Sequence, residues 1–121
     1  MLSWSTILGG GVMSAIAAGL LVAVVRPRRG LVIAVASVAA FLGPVSWNAI
    51  LHRVEGRQFF VDAPVAAFPI SWQDTGSGVF TVALGDVLLG LGAMAHDDGR
   101  RLALTALLTG VAALVVDVYL Y

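Results

Sequence analysis

The sequence contains no cysteine and few charged residues, and both absences narrow what the protein can be. Without cysteine the chain forms no disulfide, no thiolate metal site and no cysteine nucleophile. Charged residues make up 12% of the 121 residues, whereas a water-soluble domain usually has about 25%. The chain is 60% hydrophobic and its mean hydropathy is +0.97. This composition predicts an integral membrane protein that contacts the lipid bilayer.

Lysine is also absent, so all seven basic residues are arginines, and seven acidic residues balance them. Because no net positive field results, nucleic-acid binding is excluded. The two histidines, His52 and His96, are expected at opposite faces of the membrane, so no metal site is predicted. The glycines Gly85, Gly90 and Gly92 form no phosphate-binding loop, and we expect no cofactor.

Four apolar runs are long enough to cross a bilayer at about 20 residues per span. They predict an all-α fold, a single integral membrane domain with four transmembrane helices at about 7–25, 31–51, 79–95 and 102–121. Pro44 is expected to kink the second helix. Residues 52–78, which include the turn-like stretch 74–78, are predicted to form one extracytoplasmic loop.

The arginines predict the orientation of these helices. The short loops carry five of them, at positions 26, 28, 29, 100 and 101, whereas the long loop carries two, Arg53 and Arg57. Positive charge is enriched in cytoplasmic loops. We therefore expect a multi-pass protein of the cell membrane, with both chain ends and the long loop outside.

Polar residues interrupt the apolar chain between positions 47 and 92. Asp86 is the clearest example, because it lies inside the predicted span 79–95. A carboxylate at the centre of a span costs about 2.5–3.5 kcal/mol, so it normally faces protein or water. With a helix starting near Val79, Asp86 would lie about 10 Å below the outer surface. Asp62, in the long loop, is expected at a compatible depth. Two adjacent carboxylates can share a proton and act as an acid and a base that activate water.

Each of these residues also has a purely structural interpretation. Asp86 could pair with Arg53 or Arg57, or accept a hydrogen bond from Asn48, and so hold helices together. Asp62 could be a solvated loop charge. Asn48 could orient a substrate carbonyl or satisfy a backbone carbonyl freed at Pro44. Asp117, near the end of the last helix, is interpreted as structural.

The segment from Val22 to Gly92 resembles lipoprotein signal peptidase, signal peptidase II, in a partial and divergent way. The matching stretches are the basic turn 26–29, Trp47-Asn48 through His52-Arg53, Phe60-Val61-Asp62, and Phe80 through Gly85-Asp86. The resemblance implies an intramembrane aspartyl endopeptidase that acts on a lipidated or membrane-embedded peptide at the outer leaflet. It implies Asp62 and Asp86 as the catalytic pair, with Asn48 and Arg53 supporting the substrate.

Two other classes of function fit the same sequence. A non-catalytic subunit, or a lipid-binding or packing partner of a larger membrane complex, would use the small-residue face formed by Gly11, Ala15 and Gly19, whose spacing suits close helix packing. A small transporter would use Asp86 as its coupling carboxylate.

Overall fold

The computed structural model describes residues 2–26, 29–56 and 70–120, and it is helical throughout most of them. Helix α1 spans Trp4–Val25, α2 Gly30–Val54, α3 Trp72–Leu88 and α4 Gly99–Leu120. A π-helical turn, Leu89–Ala93, extends α3. Among the described residues, four helices are long and apolar enough to cross a membrane, with the π-helical turn counted as part of the third. The predicted all-α class and the four candidate spans are confirmed.

The helices run alternately up and down and form a closed bundle. Each helix packs on the next in the chain, α1 packs on α4, and α2 also contacts α4 across the centre. One end of the bundle, called here the Arg29 end, carries the α1–α2 and α3–α4 connections. The other, the Asn48 end, carries Leu2, the last turn of α2, the start of α3 and the end of α4.

The third helix begins seven residues before its expected start at Val79, which corrects the predicted loop of 52–78. The Ser71 hydroxyl accepts a hydrogen bond from the backbone N–H of Asp74, and the Asp74 carboxylate accepts one from the backbone N–H of Ser71. This reciprocal capping box satisfies N–H groups that a helix start otherwise leaves unpaired. The stretch 74–78, predicted to be a turn, is therefore helical.

Small residues allow the helices to approach closely. A Cβ atom added at Gly43 would lie 2.7 Å from the Thr81 Cα atom, and one added at Gly76 would collide with the Trp47 indole. Between α3 and α4, a Cβ added at Gly110 would collide with Val82. Many of the buried side chains are small, mostly alanines, so the helix backbones themselves fill much of the interior.

The face formed by Gly11, Ala15 and Gly19 points toward α2 of the same chain. A Cβ added at Gly11 would lie 2.9 Å from the Phe41 ring, and one added at Gly19 would lie 2.6 Å from the Ser37 hydroxyl. Ala15 and Gly19 also line a groove between α1 and α2. Contact of this face with another protein remains a prediction.

Candidate functional site

Two polar features of the described bundle concern the predicted site residues: a buried cluster at the Asn48 end, and the exposed carboxylate of Asp86 on the outer face of α3. The buried cluster contains Asn48, Gln73, Ser77 and Asp117, which are at most 1% exposed. They come from α2, α3 and α4, so the cluster joins three of the four helices.

Gln73 is the centre of the buried cluster. Its side-chain Nε2 donates to Asn48 Oδ1 at 3.1 Å and Asp117 Oδ2 at 3.3 Å, with Ser77 Oγ at 3.4 Å. The two hydrogens of one amide are thus shared among three acceptors. Its backbone carbonyl accepts a hydrogen bond from Trp47 Nε1 at 3.0 Å. Gln73 therefore fixes the start of α3 against both neighbouring helices.

Asn48 has two partners, and neither is Asp86. Its Nδ2 donates to the Pro44 carbonyl at 2.8 Å, one helical turn earlier, while its Oδ1 accepts from Gln73. A carbonyl left free by Pro44 would be that of Ala40, four residues before the missing N–H. Asn48 thus bonds a different carbonyl from the one expected. Its polar atoms are used within the bundle.

Asp117 is fully buried, and its Oδ1 atom has no hydrogen-bond partner within the described residues. Its other carboxylate oxygen, Oδ2, accepts a hydrogen bond from Gln73 Nε2 at 3.3 Å. Sequence analysis gave Asp117 a structural role near the end of the last helix. The structure places it in the interior, beside the residues that join α2 to α3.

Asp86 lies elsewhere, exposed on the outer face of α3. It follows Trp72 by fourteen residues and precedes Ala93 by seven, which places it about 21 Å from the start of the helix and about 10 Å from the end of the π-helical turn. The predicted depth near the outer surface assumed a helix start at Val79. With the observed start, Asp86 lies nearer to the Arg29 end.

The surroundings of Asp86 form a groove of about 470 Å³ between α3 and α4. Gly78 and Gly110 belong to its lining, which is otherwise largely apolar: Ile70, Thr75, Val79, Val82, Ala83, Leu107, Val111 and Leu114. Within the described residues Asp86 forms no hydrogen bond or ion pair. A carboxylate is therefore exposed in a groove on the apolar outer surface.

Among the described residues, the structure places Asn48 and Arg53 at one end of the bundle and Asp86 nearer to the other. Gln73, the partner of Asn48, precedes Asp86 by thirteen residues, about 20 Å along α3. Arg53 is exposed in the last turn of α2 at the same end as Asn48. Asp62 lies outside the described residues, so its pairing with Asp86 remains a prediction.

Gln73 was missed at the sequence level, although two signals could have identified it. Ser71 and Asp74 match the capping-box pattern ahead of an apolar run, which would have started α3 at Trp72. Gln73 then falls in the first turn of a span, beside an interfacial tryptophan. Comparison with known proteins adds no assignment, since no family model, curated protein or solved structure matches the chain.

Proposed function

We propose that the chain is a four-span membrane protein that binds a membrane-embedded peptide segment in the groove between α3 and α4, with Asp86 as its polar contact. The observation that supports this function is the exposed carboxylate in the wall of an apolar groove. In a bilayer such a group faces hydrocarbon unless a partner covers it. The occupant is a transmembrane helix that carries an arginine or lysine at the depth of Asp86.

The shape of the groove supports a helix as the occupant. Gly78 and Gly110 are buried and bring α3 and α4 close together, and the groove runs between these two helices. The remaining lining is apolar and matches the aliphatic surface of a transmembrane segment. Asp86 would then define the position of the bound helix along the groove, because any other position leaves the Asp86 carboxylate and the basic residue of the partner unpaired in lipid.

The expected orientation is part of the proposal. The Arg29 end carries four of the five arginines that the structure describes, and we propose that it faces the cytoplasm. Both described ends of the chain then belong to the outer side. Asp86 lies in the inner half of the bilayer under this arrangement, and the basic residue of the partner lies at the same depth.

A fluorescence-transfer assay in proteoliposomes tests the proposal with a synthetic partner. The probe is a Leu/Ala transmembrane peptide with one arginine about 10 Å from its cytoplasmic end, compared with the same peptide carrying leucine there. Relief of a carboxylate cost of about 2.5–3.5 kcal/mol predicts binding that is about 70- to 400-fold tighter for the arginine peptide.

The Asp86→Asn variant should bind the two peptides equally, whereas Asp98→Asn, which removes an exposed carboxylate outside the spans, should behave as the parent. If the arginine peptide binds the parent and Asp86→Asn with the same affinity, the groove is not the binding site.

An aspartyl endopeptidase related to signal peptidase II is the second candidate, because the Asp86 carboxyl is open to a groove and is not held by an arginine of the described chain. Asp62 would supply the second carboxyl group. The position of Asp86 along α3 would put the cleaved bond in the half of the bundle nearer Arg29, deeper than the resemblance implies.

Cleavage of a lipopeptide by the reconstituted protein, followed by mass spectrometry, separates the two candidates. A peptidase loses cleavage in both Asp62→Asn and Asp86→Asn. Cleavage by Asp86→Asn at the parental rate would exclude the aspartyl mechanism, while binding without any cleavage would favour the non-catalytic function.

A further inference from the structure

The Arg29 end of the bundle contains more guanidinium groups than carboxylates. Arg29 donates from both terminal nitrogens to the two oxygens of Asp97, at 3.0 and 3.2 Å. Asp98 is the other carboxylate described at this end, whereas Arg26, Arg100 and Arg101 are three further arginines. Since Arg29 already neutralises Asp97, positive charge is in excess at this end.

Arg26 has an unused donor. It follows the last residue of α1, and its Nε atom is shielded from solvent without a hydrogen-bond partner among the described residues. A buried N–H donor of a charged group is costly to leave without an acceptor. The location of Arg26 at the end of an apolar helix places its guanidinium group at the level where lipid phosphates lie.

Arg101 is only weakly engaged within the chain. Its Nε atom is 3.8 Å from Asp98 Oδ2, and both side chains are more than 60% exposed. Exposed pairs at this separation contribute little. Arg100 precedes it and is also exposed. The first turn of α4 thus adds two cations to the side of the bundle that holds Arg26.

We infer that Arg26, together with Arg100 and Arg101, binds the phosphate of an anionic phospholipid headgroup at the Arg29 end. Guanidinium groups suit this ligand because their fixed N–H donors bind phosphate oxygens in pairs. The lipid acyl chains would lie along the apolar helices that end at this level. This site is independent of Asp86 and lies at the end of the bundle, beyond the groove.

Native mass spectrometry of the full chain in detergent measures the affinity for added phosphatidylglycerol and phosphatidylcholine. We expect phosphatidylglycerol to bind about tenfold more tightly than phosphatidylcholine, and Arg26→Gln to remove that preference. Arg101→Gln should weaken phosphatidylglycerol binding about threefold. The matched control is Arg53→Gln, an exposed arginine at the opposite end, which should bind as the parent does.

Three results would overturn the inference. Equal affinity for the two lipids would show that the net charge of the headgroup is not recognised. Unchanged preference in both Arg26→Gln and Arg101→Gln would place the lipid elsewhere. Displacement of phosphatidylglycerol by millimolar inorganic phosphate would identify a free-anion site instead of a lipid site. Arg101 is exposed, so its variant should still fold if Arg26→Gln does not.

Discussion

Gln73 shows how one side chain can join several helices. Replacement by alanine removes donors from Asn48 Oδ1 and Asp117 Oδ2 while both acceptors stay buried. We expect Gln73→Ala to lower the free energy of unfolding by about 1–3 kcal/mol, the usual cost of leaving a buried polar group unpaired. Denaturation in mixed micelles, followed by circular dichroism, measures the change.

A double-mutant cycle tests whether the loss of stability on replacing Gln73 comes from leaving the Asp117 carboxyl group unpaired. If the cost comes from the unpaired carboxyl group, Gln73→Leu combined with Asp117→Leu should recover more than half of the loss, because both polar partners are removed together. Strictly additive losses would mean that the two side chains stabilise the bundle independently.

The sequence identified Asn48 and Asp86 as polar residues that interrupt apolar spans, but it did not identify the residues that they contact. Asp86 was proposed as a site residue because inserting a carboxylate into an apolar span costs free energy. In the structure Asp86 does line a groove. Asn48 was expected to act near it, yet it bonds Gln73. Partner choice depends on where each helix starts, because a start seven residues earlier moves Asp86 about 10 Å further from the start of α3.

At the scale of elements, replacing a glycine by alanine is expected to have opposite effects on stability in α1 and in α2. Gly43 lies against the Thr81 backbone, so Gly43→Ala must push α2 away from α3, and we expect a loss of about 1–3 kcal/mol. Gly9 has nothing within 4 Å of an added Cβ, so Gly9→Ala should be neutral or stabilise α1 by up to about 1 kcal/mol. Thermal unfolding in detergent compares the two variants. Equal stability of the pair would contradict close contact between α2 and α3.

The start of α3 shows that local residue composition can predict the wrong secondary structure. Residues 74–78 contain two glycines, a serine and a threonine, a composition typical of a turn. In the bundle, however, Gly76 makes room for the Trp47 ring, and Gly78 lies against Leu114 and the Gly110 carbonyl. Contacts between helices therefore decide the structure of this stretch, while the four apolar spans themselves follow directly from hydropathy.

At the scale of the whole molecule, the Arg29–Asp97 ion pair links the two short connections. Arg29 also donates to the Ala93 carbonyl at 2.7 Å, which satisfies one of the acceptors left free where the π-helical turn ends. The hydrogen bonds and charge of Arg29 lower the pKa of Asp97 from its usual 3.8. The stabilisation is therefore complete above that value and is lost as the pH falls through the lowered pKa.

The pH dependence of unfolding tests this link. We expect Asp97→Asn to be less stable than the parent at neutral pH and to lose less stability on acidification below about pH 4. Asp98→Asn, which changes the neighbouring exposed carboxylate, should keep the parental pH profile. Identical acid profiles for the parent and Asp97→Asn would show that the ion pair does not stabilise the fold.

The alternating directions of the four described helices place Leu2 and Val118 at the same end of the bundle. Two copies of this bundle can therefore be joined genetically, Val118 of one copy leading to Leu2 of the next, by a flexible linker that does not have to run along the bundle. Such a tandem polypeptide keeps both copies parallel without an added crossing helix. It would allow one groove to be altered while the other is left intact in the same molecule.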